Sequence, residues 1–216
     1  LQWWRESIAG IYAGTPRAHP VVEALARLLA VRPLDRGSID ALIDARARDL
    51  YRAPPATLAD LEAYAEATSG DRTRLALQAL GILDPAVGEI GGHVGTAYAL
   101  VGLIRATPHF VRQGRVVVPV ALLAEQGIDV DAVLRDGARP QVSAALARIG
   151  ERAGAHLAAA RALRRLAPAA ALPALLPAAL ADLYLSRLRR ARFDPWDPRA
   201  GASPPRRQFR LLVRAV

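Results

Sequence analysis

The apolar residues of this chain recur at helical spacing almost from end to end, and that period limits its fold more than any motif does. Between Val142 and Leu166 the positions Val142, Leu146, Ile149, Ala153, Leu157, Ala160 and Leu163 step by three or four, while Arg148, Arg152, Arg161, Arg164 and Arg165 mark the solvated side. The same period runs through Trp4, Ile8, Ile11 and Tyr12 up to a turn at Gly14-Thr15-Pro16, and after Pro20 through Val21, Leu25, Leu28 and Leu29. Ser38 is placed to cap a further helix carrying Ala41, Leu42 and Ile43, which ends before Pro54-Pro55. Thr57, with Asp60 three residues on, is a start signal for another helix, expected to break near Ser69-Gly70. The Gly- and Ala-rich stretch from Asp84 to Ile104 predicts a helix packed closely against its neighbours. The β-prone run Val116-Val117-Val118 is closed by Pro119 and is too short to make a sheet alone. The expectation is one all-α domain over residues 1–216.

Composition is brought in where it excludes. In 216 residues, 52% hydrophobic and 23% charged leave enough apolar material for a sizeable core and do not fit a disordered chain. The net charge of +9 raises nucleic acid or anionic membrane as partners. All 29 basic residues are arginine, however, and lysine, asparagine and methionine are absent, as in a GC-rich genome, so part of that charge is compositional. With no nucleic-acid-binding motif in the chain, no nucleic-acid partner is expected. The lack of cysteine excludes disulfides, thiolate metal sites and cysteine nucleophiles. No secretory signal opens the sequence, and a start at Leu1-Gln2-Trp3-Trp4 without methionine predicts a fragment, truncated at its N-terminus, or a processed form. The uncharged stretch 167–181 is shorter than the roughly 20 residues of a bilayer span, and Pro168, Pro173 and Pro177 interrupt it. It reads as a buried helix broken by prolines. Beyond it, Phe193-Asp194-Pro195-Trp196 reads as an aromatic anchor and Ala200 to Arg207 as a loop. Arg187, Arg189, Arg190, Arg192, Arg206 and Arg207 offer a peripheral contact with anionic lipid.

Side chains capable of chemistry are sparse. No phosphate-binding glycine loop is present, the serines lack a nucleophile-elbow context, and His19, His93, His109 and His156 show no metal-ligand spacing. Each histidine reads as a surface or packing residue. Asp40 and Asp44 lie one helical turn apart with Asp49 beyond them, and two carboxylates on one face can hold Mg²⁺ against a diphosphate. Spacing alone favours a solvated face in which Asp44 pairs with Arg48 at i, i+4.

Several phrases, in order over nearly the whole length, resemble the squalene/phytoene synthase family. They are Leu1-Gln2-Trp3-Trp4-Arg5, Tyr12-Ala13-Gly14-Thr15-Pro16, His19-Pro20-Val21, Leu42-Ile43-Asp44 with Asp49-Leu50, and Asp60-Leu61-Glu62-Ala63-Tyr64. Gly95-Thr96-Ala97 leading to Leu103-Ile104-Arg105, Gly114-Arg115 with Val118-Pro119, and Phe193-Asp194-Pro195 complete the set. The resemblance implies an all-α isoprenoid (terpenoid) synthase fold, with its N-terminal helices missing here, that joins prenyl diphosphates held by Mg²⁺ on two aspartate-rich motifs. The first motif would lie upstream of Leu1. The second normally reads Asn, two apolar residues, Arg, Asp, two more residues, Glu and Asp. Its positions here read Gly102, Leu103, Ile104, Arg105, Ala106, Thr107, Pro108, His109 and Phe110, so the arginine is kept and every acid is gone. Val117 stands where the family has tyrosine. Pro108 is also expected to disturb the helix that would present such ligands.

The stretch Arg105-Ala106-Thr107-Pro108-His109 resembles the branch of the family formed by the mitochondrial complex I assembly factor related to phytoene synthase. The branch implies a non-catalytic protein, with no catalytic residue, metal ligand or cofactor. Its partners would be subunits or assembly intermediates of respiratory complex I, at the bacterial cytoplasm or inner membrane or at the mitochondrial matrix side. The alternative is a head-to-head prenyltransferase of isoprenoid biosynthesis, or a prenyl-lipid binder, in which Asp44, Asp49, Arg105 and Arg115 face a pocket for a prenyl diphosphate and Mg²⁺ is the cofactor.

Overall fold

The computed structural model describes residues 1–136 and 139–201, and among them every regular element is helical. Two helices, α1 (Gln2–Tyr12) and α2 (Pro20–Val31), are followed by α3 (Arg36–Ala45) and a 3-10 turn at Arg46–Leu50. Asp35, rather than Ser38, caps α3: its carboxylate accepts from the Ser38 amide at 2.7 Å, which starts the helix two residues before that serine. Thr57 and Asp60 do form the reciprocal capping box expected of them, at the head of α4 (Leu58–Ala65).

The chain does not break at Ser69-Gly70. α4 passes through a π-helical segment, Glu66–Gly70, directly into α5 (Asp71–Ala79). The wider turn is accommodated because hydroxyls take over backbone bonding, Thr68 donating to the Tyr64 carbonyl at 2.6 Å and Thr73 to the Ser69 carbonyl at 2.9 Å. Against this bulge lies α6 (Pro85–Arg112), which carries the Gly- and Ala-rich stretch. At Gly95 a Cβ would overlap the Ser69 carbonyl group and come within 2.7 Å of the Thr73 hydroxyl, so the approach of the two backbones requires glycine. Pro108 leaves α6 intact, contrary to the expectation from sequence. The helix continues to Arg112, with the Thr107 hydroxyl bonded back to the Leu103 carbonyl at 3.1 Å.

Val116 and Val118 are buried in an extended connection that leads through Pro119 into α7 (Val120–Ala124), and α8 (Val130–Asp136) follows. The strongly periodic stretch is α9 (Arg139–Leu163), which lays Val142, Leu146, Ile149, Ala153 and Leu157 against Ala97, Leu100, Val101 and Ile104 of α6. Burying each valine, leucine or isoleucine there contributes roughly 1.5–3 kcal/mol, and this seam is the centre of the main core.

The uncharged stretch 167–181 is broken by prolines as expected, into a 3-10 turn at Ala169–Ala171, α10 (Leu172–Leu175) and the start of α11 (Pro177–Arg190). It is not buried along its length. Ala171 and Ala181 are enclosed, Leu172 is exposed, and Leu175 and Ala178 form one wall of a groove of about 580 Å³ against α6 and α9. Phe193 is an anchor as expected, its ring filling the space over Gly150 where any side chain would collide. A short α12 (Pro198–Gly201) ends the described chain. Among the arginines offered to lipid, Arg189, Arg190 and Arg192 are exposed, one guanidinium nitrogen of Arg187 is buried, and Arg206 and Arg207 lie outside the described residues. Of the expected Ala200–Arg207 loop, Ala200 and Gly201 belong instead to α12, and 202–207 lie outside the described residues.

Candidate functional site

Two adjoining cavities lie between α4–α5 and the C-terminal half of α6. The smaller, about 60 Å³, lies among Arg48, Asp49 and Arg52 of the 3-10 region and Arg115 and Val117 after α6. The larger, about 280 Å³, is lined by Arg46, Arg72 and Arg105 and by Thr68, Tyr98 and Tyr184, and Tyr64, Leu103 and Phe110 form the wall the two share. Asp49, Arg105 and Arg115 are therefore brought to one region from three separate stretches of chain. Asp44 lines neither cavity. It is exposed and pairs with Arg5 of α1 at 2.6 Å, so the i, i+4 pair with Arg48 does not form. Arg48 turns instead to the Asp60 carbonyl at 3.0 Å and lies over the Tyr64 ring.

Within the site Asp49 is already engaged. It accepts from the Tyr64 hydroxyl at 2.7 Å and pairs with Arg46 at 3.1 Å. Burial, reinforced by the hydrogen bond and negative charge of Asp49, pushes the Tyr64 phenol up to about 12, so it stays protonated and donates its hydrogen bond to that carboxylate at any ordinary pH. Arg105 stacks on Tyr184, its guanidinium 3.6 Å from the ring centroid, and its Nε is buried without a hydrogen-bond partner.

Positions 102, 106 and 110 are one helical turn apart, and Gly102, Ala106 and Phe110 all line the larger cavity. The face of α6 that would present oxygen ligands is therefore hydrocarbon or bare. Mg²⁺ demands a near-octahedral set of oxygens. Here the single carboxylate of the two cavities, Asp49, is held by arginine and tyrosine, and no group of three or more His, Cys, Asp or Glu side chains capable of holding a metal ion occurs among the described residues. The lining of these two cavities therefore offers magnesium no free carboxylate.

A second polar cluster was not legible in the sequence. His93 on α6 and His156 on α9 meet with their Nδ1 atoms 2.9 Å apart, His156 Nε2 lies 2.8 Å from Glu62 of α4, and Glu62 pairs with Arg152 at 2.6 Å. The histidines are 63 residues apart, so no local spacing could announce them. Beside them Glu66 accepts from the Thr96 hydroxyl and pairs with Arg74, which also holds Asp71 at 2.8 Å. Burial pulls Glu62 upward, but the bonds from Arg152 and His156 outweigh it and hold the carboxyl below its ordinary range; Glu66 behaves likewise through Thr96 and Arg74. Burial, then repulsion from His156, lowers His93 below the ordinary histidine value of 6.5, against the opposing pull of Glu89 and Glu66. A histidine depressed in the folded state contributes stability that is full above the unfolded pKa and declines as pH falls through it. Thermal stability is therefore expected to fall between pH 7 and pH 5, where both glutamates stay ionised, and a His93→Asn variant should show a flatter profile in melting curves across that range.

The architecture is that of the isoprenoid synthases. A squalene synthase from Alicyclobacillus acidocaldarius superposes with a TM-score of 0.82 at 25% identity, over 90% of this chain and 74% of that one. A dehydrosqualene synthase superposes with a TM-score of 0.81, over 97% of this chain, at 19% identity. The chain belongs to the squalene/phytoene synthase family, whose model matches residues 1–211. Among curated relatives, complex I assembly factor 6 of mouse is 29% identical over 198 residues, 92% of this chain and 60% of that protein. Presqualene diphosphate synthase of Rhodopseudomonas palustris is 33% identical over 166 residues, 74% of this chain and 57% of that protein. The chain thus spans about 60% of the length of these two curated relatives.

Proposed function

We propose that the protein is a non-catalytic member of the family that assists the assembly of respiratory complex I, acting at the matrix or cytoplasmic side of the membrane that holds the complex. The observation that carries this reading is the α6 face of Gly102, Ala106 and Phe110, which offers no oxygen to a metal at the positions where a metal-dependent prenyltransferase of this family would need it. The match to complex I assembly factors over 92% of the chain supplies the biological direction. α6 is long and apolar enough to cross a membrane, but it packs in the core against α9, which favours peripheral rather than spanning contact. The test is genetic and biochemical together. Deletion should lower the amount of assembled complex I on native gels, with recovery from a plasmid copy, and the full-length protein should release no pyrophosphate from farnesyl or geranylgeranyl diphosphate with Mg²⁺. Normal complex I in the deletion strain would sink the assembly role.

A second reading, a prenyl diphosphate transferase or prenyl-lipid binder, is favoured by the 33% identity to a presqualene diphosphate synthase and by the gathering of Asp49, Arg105 and Arg115. The transferase would require magnesium-dependent pyrophosphate release that Arg105→Ala abolishes; the binder would require only saturable uptake of a prenyl lipid.

A further inference from the structure

We propose that the groove between the C-terminal part of α9 and the α10–α11 segment receives an acidic amphipathic helix of a partner protein. The groove shares no lining residue with the two cavities of the candidate site, and its occupant goes beyond the assembly role without depending on it. Its floor, in a volume of about 580 Å³, is hydrocarbon. Ile90 and Val94 stand one turn apart on α6, Leu157 and Ala160 lie beside them on α9, and α10 and α11 supply Leu175 and Ala178. Alanines in that floor let a second backbone approach, and the mixture of large and small apolar residues suits the i, i+3 or i+4, and i+7 anchors of a docked helix.

Charge along the edges selects the occupant. Arg161 and Arg164, at the end of α9 and in the turn after it, and Arg189 of α11 line the groove with a single carboxylate, Asp182. Asp182 pairs with Arg161, whereas neither Arg164 nor Arg189 forms an ion pair with a carboxylate among the described residues. Residues 152–181 contain no acid, although Arg152, Arg161, Arg164 and Arg165 fall among them. The Arg189 Nη2 lies 3.0 Å from where a Cβ on Gly154 would stand. The guanidinium groups are therefore spread along α9 from Gly154 to Arg164, about 15 Å at 1.5 Å per residue. A phospholipid carries its charge at one end of an apolar chain and would leave the remaining arginines facing hydrocarbon. A helix of nearly three turns with carboxylates along its flank meets all of them, and guanidinium forks hold carboxylates bidentately. The same positive edge disfavours a second copy, at net charge +9, and the chain's own residues 202–216, which carry Arg206, Arg207, Arg210 and Arg214 and no acid.

The test uses two synthetic peptides of about 18 residues, long enough to be helical alone, with leucine and alanine on one face and either glutamate or lysine on the other. Fluorescence titration with the full-length protein should show saturable binding of the glutamate peptide, about tenfold or more tighter than the lysine peptide and weakened by added salt. Arg164→Gln and Arg189→Gln should each weaken it about threefold, as expected of exposed charge pairs, and about tenfold together. Arg27→Gln, exposed on α2, should leave it within about twofold. Ala179→Glu places a carboxylate in the groove at the start of α11, where the helix dipole favours it, and should weaken the peptide about tenfold without lowering the melting temperature. Equal binding of the two peptides, equal weakening by Arg27→Gln, or no binding overturns the proposal. Two further outcomes overturn it by naming another occupant. Flotation on phosphatidylcholine–phosphatidylglycerol vesicles that needs Arg164 and Arg189, without peptide binding, assigns the groove to lipid; a dimer in sedimentation equilibrium that Arg164→Gln dissociates assigns it to a second copy.

Discussion

Gly95→Ala is expected to destabilise the protein by about 3 kcal/mol, near the upper end of the usual cost of overpacking. The added methyl would meet the Ser69 carbonyl group and the Thr73 hydroxyl, 2.7 Å away, and neither can yield cheaply. Ser69 lies inside the π-helical segment and Thr73 is already bonded to its carbonyl, so relief would mean moving α4–α5 off α6. At roughly 2–4 °C per kcal/mol for a chain of this size, the melting temperature should drop by about 6–12 °C. Gly88→Ala is the internal control. It lies in the same helix with nothing within 4 Å of its would-be methyl, so alanine should stabilise by about 0.5–1 kcal/mol through backbone entropy and helix propensity. Equal effects of the two substitutions in denaturant titrations would dispose of the close-approach argument. Because the spacing of α4–α5 from α6 also defines the cavities, Gly95→Ala should widen or close them as well.

Removing Glu66 is the second large effect. Glu66→Ala deprives the Thr96 hydroxyl, fully buried, of its acceptor and leaves Arg74 with Asp71 alone. An orphaned buried hydroxyl costs about 1–3 kcal/mol. The ion pair adds less than a fully enclosed pair would, because the Glu66 side chain is 37% exposed and solvent screens it. A total of about 2–3 kcal/mol is expected in urea unfolding. Glu66→Gln keeps an acceptor for Thr96 and should recover part of the loss. The double variant Glu66→Ala with Thr96→Val removes both partners, so its cost should fall below the sum of the single variants. Strict additivity would mean that the two side chains do not act on one another.

Glu66 lies in, and Gly95 of α6 packs against, the junction that a reading of the sequence treated as a break. Ser69-Gly70 looked like an interruption because glycine and serine disfavour helix interiors. The chain passes through instead, since a π turn with hydroxyl back-bonding satisfies the backbone there and tertiary contact with Gly95 requires it. The signal for that contact was present in the glycines of α6, but what they approach was not. Pro108 failed as a helix breaker for a related reason: it stands near the end of a long helix whose other residues are held by α9 and the core.

What the sequence by itself determined was local. Helical period, the Thr57 capping box and the exchange of acids for Gly102, Ala106 and Phe110 can each be read within a few turns of chain, because side-chain direction repeats every 3.6 residues. The tertiary structure alone decided which distant groups meet. It brought Arg46, Arg72 and Arg105 around one cavity, set Asp44 against Arg5 outside it, and joined His93 to His156 and Glu62. These pairings depend on how whole helices pack, and the free energy that selects the packing is shared across a core whose members lie far apart in the chain. No short pattern records it.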